Sequence, residues 1–151
     1  TALENKIFIR ELKDRFGSQS IIASVDIRKN WLGKPQIYES KSKKDLNGAW
    51  LKHIQALVDA GAGEILLNAV DRDGTLSGPD LHLIRAASEQ VDVPLVAVGG
   101  ISSLADIKAC VSAGASAVAA GAFFVFHGPH RAVLIAYPKY QDLVNLFKDS
   151  E

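Results

Sequence analysis

Acids and glycines in this chain collect where short apolar runs end, in positions suited to proton transfer and to holding an anion. Ile21-Ile22-Ala23-Ser24-Val25 runs into Asp26, and Ile65-Leu66-Leu67-Asn68-Ala69-Val70 into Asp71-Arg72-Asp73-Gly74-Thr75. Leu95-Val96-Ala97-Val98 ends in Gly99-Gly100, and Ala117-Val118-Ala119-Ala120 in Gly121-Ala122. Carboxylates such as Asp26 and Asp73 can take up and return protons during a reaction. Residues with little or no Cβ let a phosphate approach main-chain amides, which favour negative charge, so Gly74, Thr75, Gly99, Gly100, Gly121 and Ala122 form a candidate phosphate cradle. Plainer readings stand beside these: Asp caps backbone where a strand enters a loop, Gly74 suits a tight turn, and Gly99-Gly100 suits the end of a strand.

Runs this short and continuously apolar read as strands buried on both faces, and the stretches between them have helical spacing, which predicts a parallel α/β fold. Leu3, Ile7, Phe8, Leu12 and Phe16 predict a helix ahead of the first strand, with Gly17 as its C-cap. The segment 27–45 breaks the rhythm with six Lys and Arg residues, and its alternating Gln36-Ile37-Tyr38-Glu39 predicts a small hairpin. Trp50 to Val58 reads as a helix stopped at Gly61-Ala62-Gly63, and Ser77-Gly78-Pro79-Asp80 opens a helix over Leu81, Leu83, Ile84 and Ala87. Ser103 is placed to cap another, with Leu104, Ile107 and Val111 as its stripe. Arg131 to Lys148 reads as a closing helix, interrupted or delayed by Pro138.

The count is four βα units in one domain, residues 1–151. Two architectures fit: a (βα)4 half of a TIM barrel, whose full form takes about 250 residues, or an open flavodoxin-like sandwich. Periodicity does not separate them. A half-barrel leaves two unpaired edges, so this reading carries the expectation of completion by missing sequence, a partner, or a second copy as a homodimer or higher homo-oligomer.

Composition narrows the partners. The 48% hydrophobic and 23% charged content is that of a globular domain, and 17 basic against 17 acidic residues leave no net field to attract nucleic acid or an anionic membrane. No apolar run nears the roughly 20 residues that cross a bilayer, and the first residues lack a signal-peptide core, which together predict a cytoplasmic protein. The absence of methionine, even at position 1, suggests a fragment or processed product. The lone Cys110, in an apolar helical pattern, reads as a buried hydrophobe.

The stretch Gly61-Ala62-Gly63-Glu64-Ile65-Leu66-Leu67-Asn68-Ala69-Val70-Asp71-Arg72-Asp73-Gly74-Thr75-Leu76-Ser77-Gly78 resembles a strand and loop of the cyclase subunit of imidazole glycerol phosphate synthase. Ser24-Val25-Asp26, Val98-Gly99-Gly100 and Ala119-Ala120-Gly121 extend the similarity over the whole chain, matching strands five to eight of that family's barrel. The tail, Phe124 to Ile135 with Tyr137-Pro138, is more similar to cyclase-like proteins associated with amidation of surface-polysaccharide sugars. The resemblance implies a lyase/cyclase of histidine biosynthesis, a phosphorylated small-molecule substrate, ammonia from a glutaminase partner, and neither metal nor cofactor. It implies a catalytic Asp26, with the second catalytic aspartate on the absent first strand, and sets Asp73 at the substrate. Where the family usually has Ser this chain has Ala122, which removes a hydroxyl contact to phosphate. Glu64, at the start of its strand, corresponds to a charged ring at the ammonia entrance, and is equally explained as a solvated strand-start charge.

Other candidates are weaker. His53 and His82 read as surface helix residues, and His127 and His130 flank Gly128-Pro129 without evident further metal ligands. The loop lysines could clamp a second phosphate, Trp31 could close over a ligand, and Asp71 could orient its loop; solvation explains the lysines as well. The alternative functions are a non-catalytic phosphate-binding assembly unit and a component of sugar amidation.

Overall fold

Every second residue of the first three apolar runs is buried, and the side on which that burial falls decides the architecture. The structure, a computed structural model, describes residues 6–46, 49–128 and 130–148. The elements in chain order are α1 (Lys6–Phe16), a 3-10 turn (Ser18–Ser20), β1 (Ile22–Lys29), β2 (Pro35–Glu39), β3 (Lys44–Leu46), α2 (Trp50–Ala60), β4 (Glu64–Ala69) and α3 (Leu81–Ser88). They continue as β5 (Leu95–Val98), α4 (Leu104–Ser112), β6 (Ala117–Ala119), the single turn α5 (Ala122–Val125), β7 (Phe126–His127), β8 (Ala132–Val133) and α6 (Tyr140–Phe147). Leu3, part of the predicted first stripe, lies outside the described residues.

The main sheet has the order β3-β2-β1-β4-β5-β6. Strands β1, β4, β5 and β6 are mutually parallel, and β2–β3 is an antiparallel hairpin that pairs with β1 from Ile27 onward. Ala23, Val25 and Ile27, Ile65, Leu67 and Ala69, and Leu95 and Ala97 are buried in one core with Ile54, Leu57 and Ala60 of α2, Leu83, Ile84 and Ala87 of α3 and Cys110 of α4. Helix α1 touches α2, α2 touches α3, α3 touches α4 and α4 touches α6, so the helices form one layer. The other face presents Ile22, Ser24 and Asp26, Glu64, Leu66 and Asn68, Val96 and Val98, and Ala117 and Ala119, none of them buried. Ile22 is 60% exposed.

Doubly wound sheets reverse strand order at a switch point and so carry helices on both faces. Here the parallel strands follow one another without reversal and a single face is covered, which excludes the flavodoxin-like sandwich. The domain is a (βα)4 half of a TIM barrel, and its uncovered face corresponds to a barrel interior. The prediction that the runs are buried on both faces is corrected accordingly: among the described residues one face is covered and the other is not.

Local signals explain the boundaries. Gly61 takes φ 118, and the N–H groups of Gly61 and Ala62 donate to the carbonyls of Val58 (2.8 Å) and Leu57 (3.1 Å), closing α2. Ser103 Oγ accepts from the Asp106 N–H at 3.1 Å while Asp106 Oδ2 accepts from the Ser102 N–H at 2.9 Å, two exchanges that start α4. Cys110 is fully buried, and burial, with a smaller effect of the Asp106 charge, pushes its thiol up to about 11. His53 is half-buried, against expectation, and burial together with the Lys6 charge lowers its pKa.

The closing helix is shorter than predicted. Ala132–Val133 pairs with Phe126–His127, and the N–H groups of Leu134 and Ala136 donate to Val125 and Phe124 carbonyls, both at 2.9 Å. These bonds hold the backbone extended through the region where a helix was expected. Pro138 then keeps Tyr137 out of helical geometry, and α6 begins at Tyr140.

One buried charge braces the loops. Asp80, 6% exposed, caps α3 by accepting from the Leu83 N–H at 3.2 Å and pairs with Lys29 Nζ at the end of β1. Burial alone would raise its pKa; the Lys29 and Leu83 hydrogen bonds and the Lys29 and Arg72 charges outweigh that and hold it below the ordinary value. A depressed carboxylate stabilises the fold above its unfolded-state pKa and loses that contribution as pH falls through the folded value. Asp80→Ala is expected to cost about 2–4 kcal/mol near neutral pH by removing both cap and ion pair. Urea unfolding should show this loss, and it should shrink as pH falls below about 4.

Candidate functional site

Parallel strands in sequence order bring all four carboxyl ends to one rim. There a shallow depression is lined by Asp73, Gly74, Gly99, Gly100, Gly121 and Ala122, with Leu76, Val98 and Ile101 among its walls. Seven of the eight residues singled out at the strand ends were Asp73 and the cradle members, and the structure gathers six of these seven here. Thr75 is the exception. Its Oγ1 donates to the Arg72 carbonyl at 2.6 Å and meets Ser77 Oγ at 2.7 Å, so it holds its own loop together.

That loop, which carries Asp73 and Gly74, is tightly wound. The N–H groups of Arg72 and Asp73 both donate to the Ala69 carbonyl (2.9 and 3.0 Å), and Arg72 Nη1 donates to the Gly78 carbonyl at 2.8 Å. Leu76 has φ 59, a strained value for a residue with a side chain. Asp71 is exposed. The loop interlocks with the next one: the Gly78 N–H donates to the Gly100 carbonyl at 2.8 Å, and a Cβ on Gly100, whose φ is 85, would run into the Gly78 carbonyl oxygen. Gly100 is thus required by loop packing, a different reason from the ligand approach anticipated. By contrast, a Cβ on Gly74 or Gly121 would meet nothing within 4 Å.

Asp26 occupies a second cleft, of about 250 Å³, bounded by Ser24, Ile37, Tyr38, Glu39, Ser40 and Lys41. Its Oδ1 accepts from Asn68 Nδ2 at 3.0 Å and its Oδ2 accepts from Ser40 Oγ. The β2–β3 hairpin therefore folds back to fix the carboxylate, and the neighbouring strand holds it from the other side. Asn68 Oδ1 is buried without a partner among the described residues. In register, Asp26 stands beside Asn68, Asn68 beside Val98 and Val98 beside Ala119, a single row along the rim. With strands about 4.8 Å apart, Asp26 lies about 10 Å from the cradle wall at Val98.

Glu64 pairs with Ile22 at the opposite, amino end of the sheet and is half-buried on the uncovered face. Trp31 projects 90% exposed from the turn between β1 and β2. Lys34, Lys43 and Lys44 are exposed; Lys41 borders the Asp26 cleft, and Lys29 is engaged with Asp80. His82, His127 and His130 are exposed. Sequence reasoning missed Ser40 and Asn68. A polar residue inside the run Ile65 to Val70 was a visible signal for Asn68, whereas Ser40 reaches Asp26 only because the hairpin folds back.

The sequence profile of the histidine biosynthesis protein family matches residues 1–130. This chain belongs to that family. It is 44% identical over 147 residues to a putative imidazole glycerol phosphate synthase subunit hisF2 of Pseudomonas aeruginosa, covering 94% of this chain and 57% of that protein. It is 36% identical over 151 residues to a putative imidazole glycerol phosphate synthase subunit HisF of Leptospira interrogans, covering 97% and 58%. The HisF subunit of imidazole glycerol phosphate synthase from Thermobifida fusca is 40% identical over 130 residues, covering 83% and 51%. The chain thus spans little more than half the length of these relatives, as a half-barrel would. No helix among the described residues is long and apolar enough to cross a membrane.

The glycines at this rim should respond differently to substitution. Gly100→Ala is expected to destabilise the domain by about 1–3 kcal/mol through the clash with Gly78 and the positive φ. Gly121→Ala, at φ −98 with open space, should change stability by less than about 0.5 kcal/mol. Urea midpoints of the two variants measured side by side check this contrast.

Proposed function

We propose that this chain is a cyclase-type half-barrel related to imidazole glycerol phosphate synthase, with Asp26 as general acid and base, Asp73 at the substrate, and the depression at Gly74, Gly99, Gly100, Gly121 and Ala122 holding a phosphate. The observation that carries the reading is the rim itself: a carboxylate bound on both oxygens stands in one row with a glycine-lined depression. Barrels commonly hold phosphate in the loops after their last two strands, which here are the Gly99-Gly100 and Gly121-Ala122 loops. Thr75 contributes by keeping the Asp73-Gly74 turn in shape. The chemistry fits a reaction in which ammonia adds to a phosphorylated substrate and an imidazole ring closes, with Asp26 moving protons near neutral pH. Glutaminase-derived ammonia would enter from the opposite mouth, at Glu64.

The uncovered face, the open outer edge of β6 and the part of β1 ahead of Ile27 that the hairpin leaves unpaired support a second part of the proposal, that the 151-residue chain self-associates at least as a dimer. Pairing two copies would cover Ile22, Leu66, Val96 and Val98 and close the sheet, as an eight-stranded barrel requires. It would also set Asp26 of each copy across one mouth and bring two phosphate cradles. Catalysis demands placement within about 0.5 Å, so binding is expected without efficient turnover.

Amide resonances of Gly74, Gly100 and Gly121 should shift on titration with inorganic phosphate, with binding at millimolar affinity or better. Sedimentation should give a dimer or larger species at micromolar concentration; a monomer would overturn the paired-barrel part alone. Ammonia-dependent turnover of the ribonucleotide substrate should be weak and fall further in Asp26→Asn, with phosphate binding kept. Turnover unchanged in Asp26→Asn would remove that residue from the mechanism.

A further inference from the structure

The glycine-lined depression poses an electrostatic problem. Its one charged lining residue among those described is an acid, Asp73. Two bases near this rim are engaged elsewhere, Lys29 at the end of β1 with Asp80 and Arg72 with the Gly78 carbonyl. A phosphate dianion next to a carboxylate, with backbone amides alone to hold it, lacks a counter-charge.

A base does reach this rim from a distant part of the chain. Beyond α5 the backbone forms the β7–β8 hairpin, which is tied down by the Leu134 and Ala136 bonds to Val125 and Phe124. At its turn stands Arg131, with φ 50, a conformation uncommon for a residue bearing a side chain. Its guanidinium lies 4.9 Å from the Phe126 ring centroid, and Nη2 donates to the Gly74 carbonyl. Turn, ring and carbonyl together hold a long, otherwise mobile side chain against the lip of the depression. A guanidinium carries five N–H donors in a planar fork suited to phosphate oxygens, and the bond to Gly74 uses one.

The geometry points to Arg131 as a direct ligand of the anion bound at Gly74, with the hairpin acting as a strap that delivers it. This inference rests on the reading of the depression as a phosphate site. It gives that site the positive charge its lining lacks and offsets the hydroxyl contact absent at Ala122. It also makes the segment after the last barrel strand a determinant of specificity: the strap selects ligands whose anionic group can be gripped from two sides, by the glycine loops and by the guanidinium.

The test is titration of the isotope-labelled 151-residue chain with inorganic phosphate and, separately, glycerol 3-phosphate, following backbone amides and the Arg131 Nε resonance. The amides of Gly74, Gly100 and Gly121 and the Arg131 Nε should shift along one binding curve. Arg131→Gln should weaken binding about tenfold or more, and Arg131→Lys, which keeps the charge and loses the fork, should fall between the two. Wild-type affinity in Arg131→Gln, with the amides still shifting, would overturn the role of Arg131 and leave the phosphate site standing. Absence of amide shifts in the unaltered chain would overturn both. Should Arg131→Gln fail to fold, the Nε resonance of the unaltered chain decides: a shift that tracks the amides supports the proposal, and an Nε unmoved at saturation overturns it.

Discussion

Alternate side chains of the parallel strands β1, β4 and β5 disappear beneath a single layer of helices, and most of what this domain can do follows from that one-sided burial. Ala23, Val25, Ile27, Ile65, Leu67, Leu95 and Ala97 point toward α2, α3 and α4, so the residues between them must point the other way. The same alternation that builds the core therefore lines up Asp26, Asn68, Val98 and Ala119 on the uncovered side, at one level along the rim. A one-residue slip of β1 would bury Asp26 and expose Val25, and the cost of burying an unpaired carboxylate makes the register secure.

The rim loops are held to one another as well as to their own strands. The bond from Gly78 to Gly100 locks the loop after β4 to the loop after β5, and Lys29 with Asp80 ties the end of β1 to the start of α3. Arg72 completes the brace by bonding the far side of its own loop. Such interlocking keeps glycine-rich segments, which would otherwise lose much conformational freedom on folding, in one arrangement. It also separates two kinds of glycine: Gly99 and Gly100 are glycine because backbone presses on them, with a Cβ on Gly99 only 2.6 Å from the Ala69 carbonyl oxygen, whereas Gly74 and Gly121 face open space.

The two clefts share the rim yet are built differently. The one at Asp26 is shaped by the β2–β3 hairpin, an excursion from the βα rhythm that returns to place Ser40 on the carboxylate. The other is shaped by the strand ends and turns that follow β4, β5 and β6, and Arg131 reaches its lip from the tail. In both, a segment outside the repeating βα units supplies a polar contact, consistent with function residing on loops that a regular scaffold positions.

The sequence by itself determined the four parallel strands, the helices between them and the residues at the strand ends. Apolar alternation, the glycine stop after Ala60, the Ser103 cap and the long match around Gly61 to Gly78 are local patterns, readable wherever they occur. Periodicity alone left the half-barrel as one of two options, because it reports which residues are buried and is silent on which side the next helix crosses; the family resemblance around Gly61 to Gly78 was what pointed to the half-barrel. Strand order and single-faced cover, which chose between the half-barrel and the sandwich, are global properties. The tail was misread for a related reason: residues 131–137 have helix-compatible composition, and their pairing with Phe124 to His127 is decided by tertiary hydrogen bonds that outweigh propensity. Ser40 on Asp26, Lys29 on Asp80 and Arg131 on Gly74 join residues 14, 51 and 57 positions apart, and contacts across such separations exist only once the chain has folded.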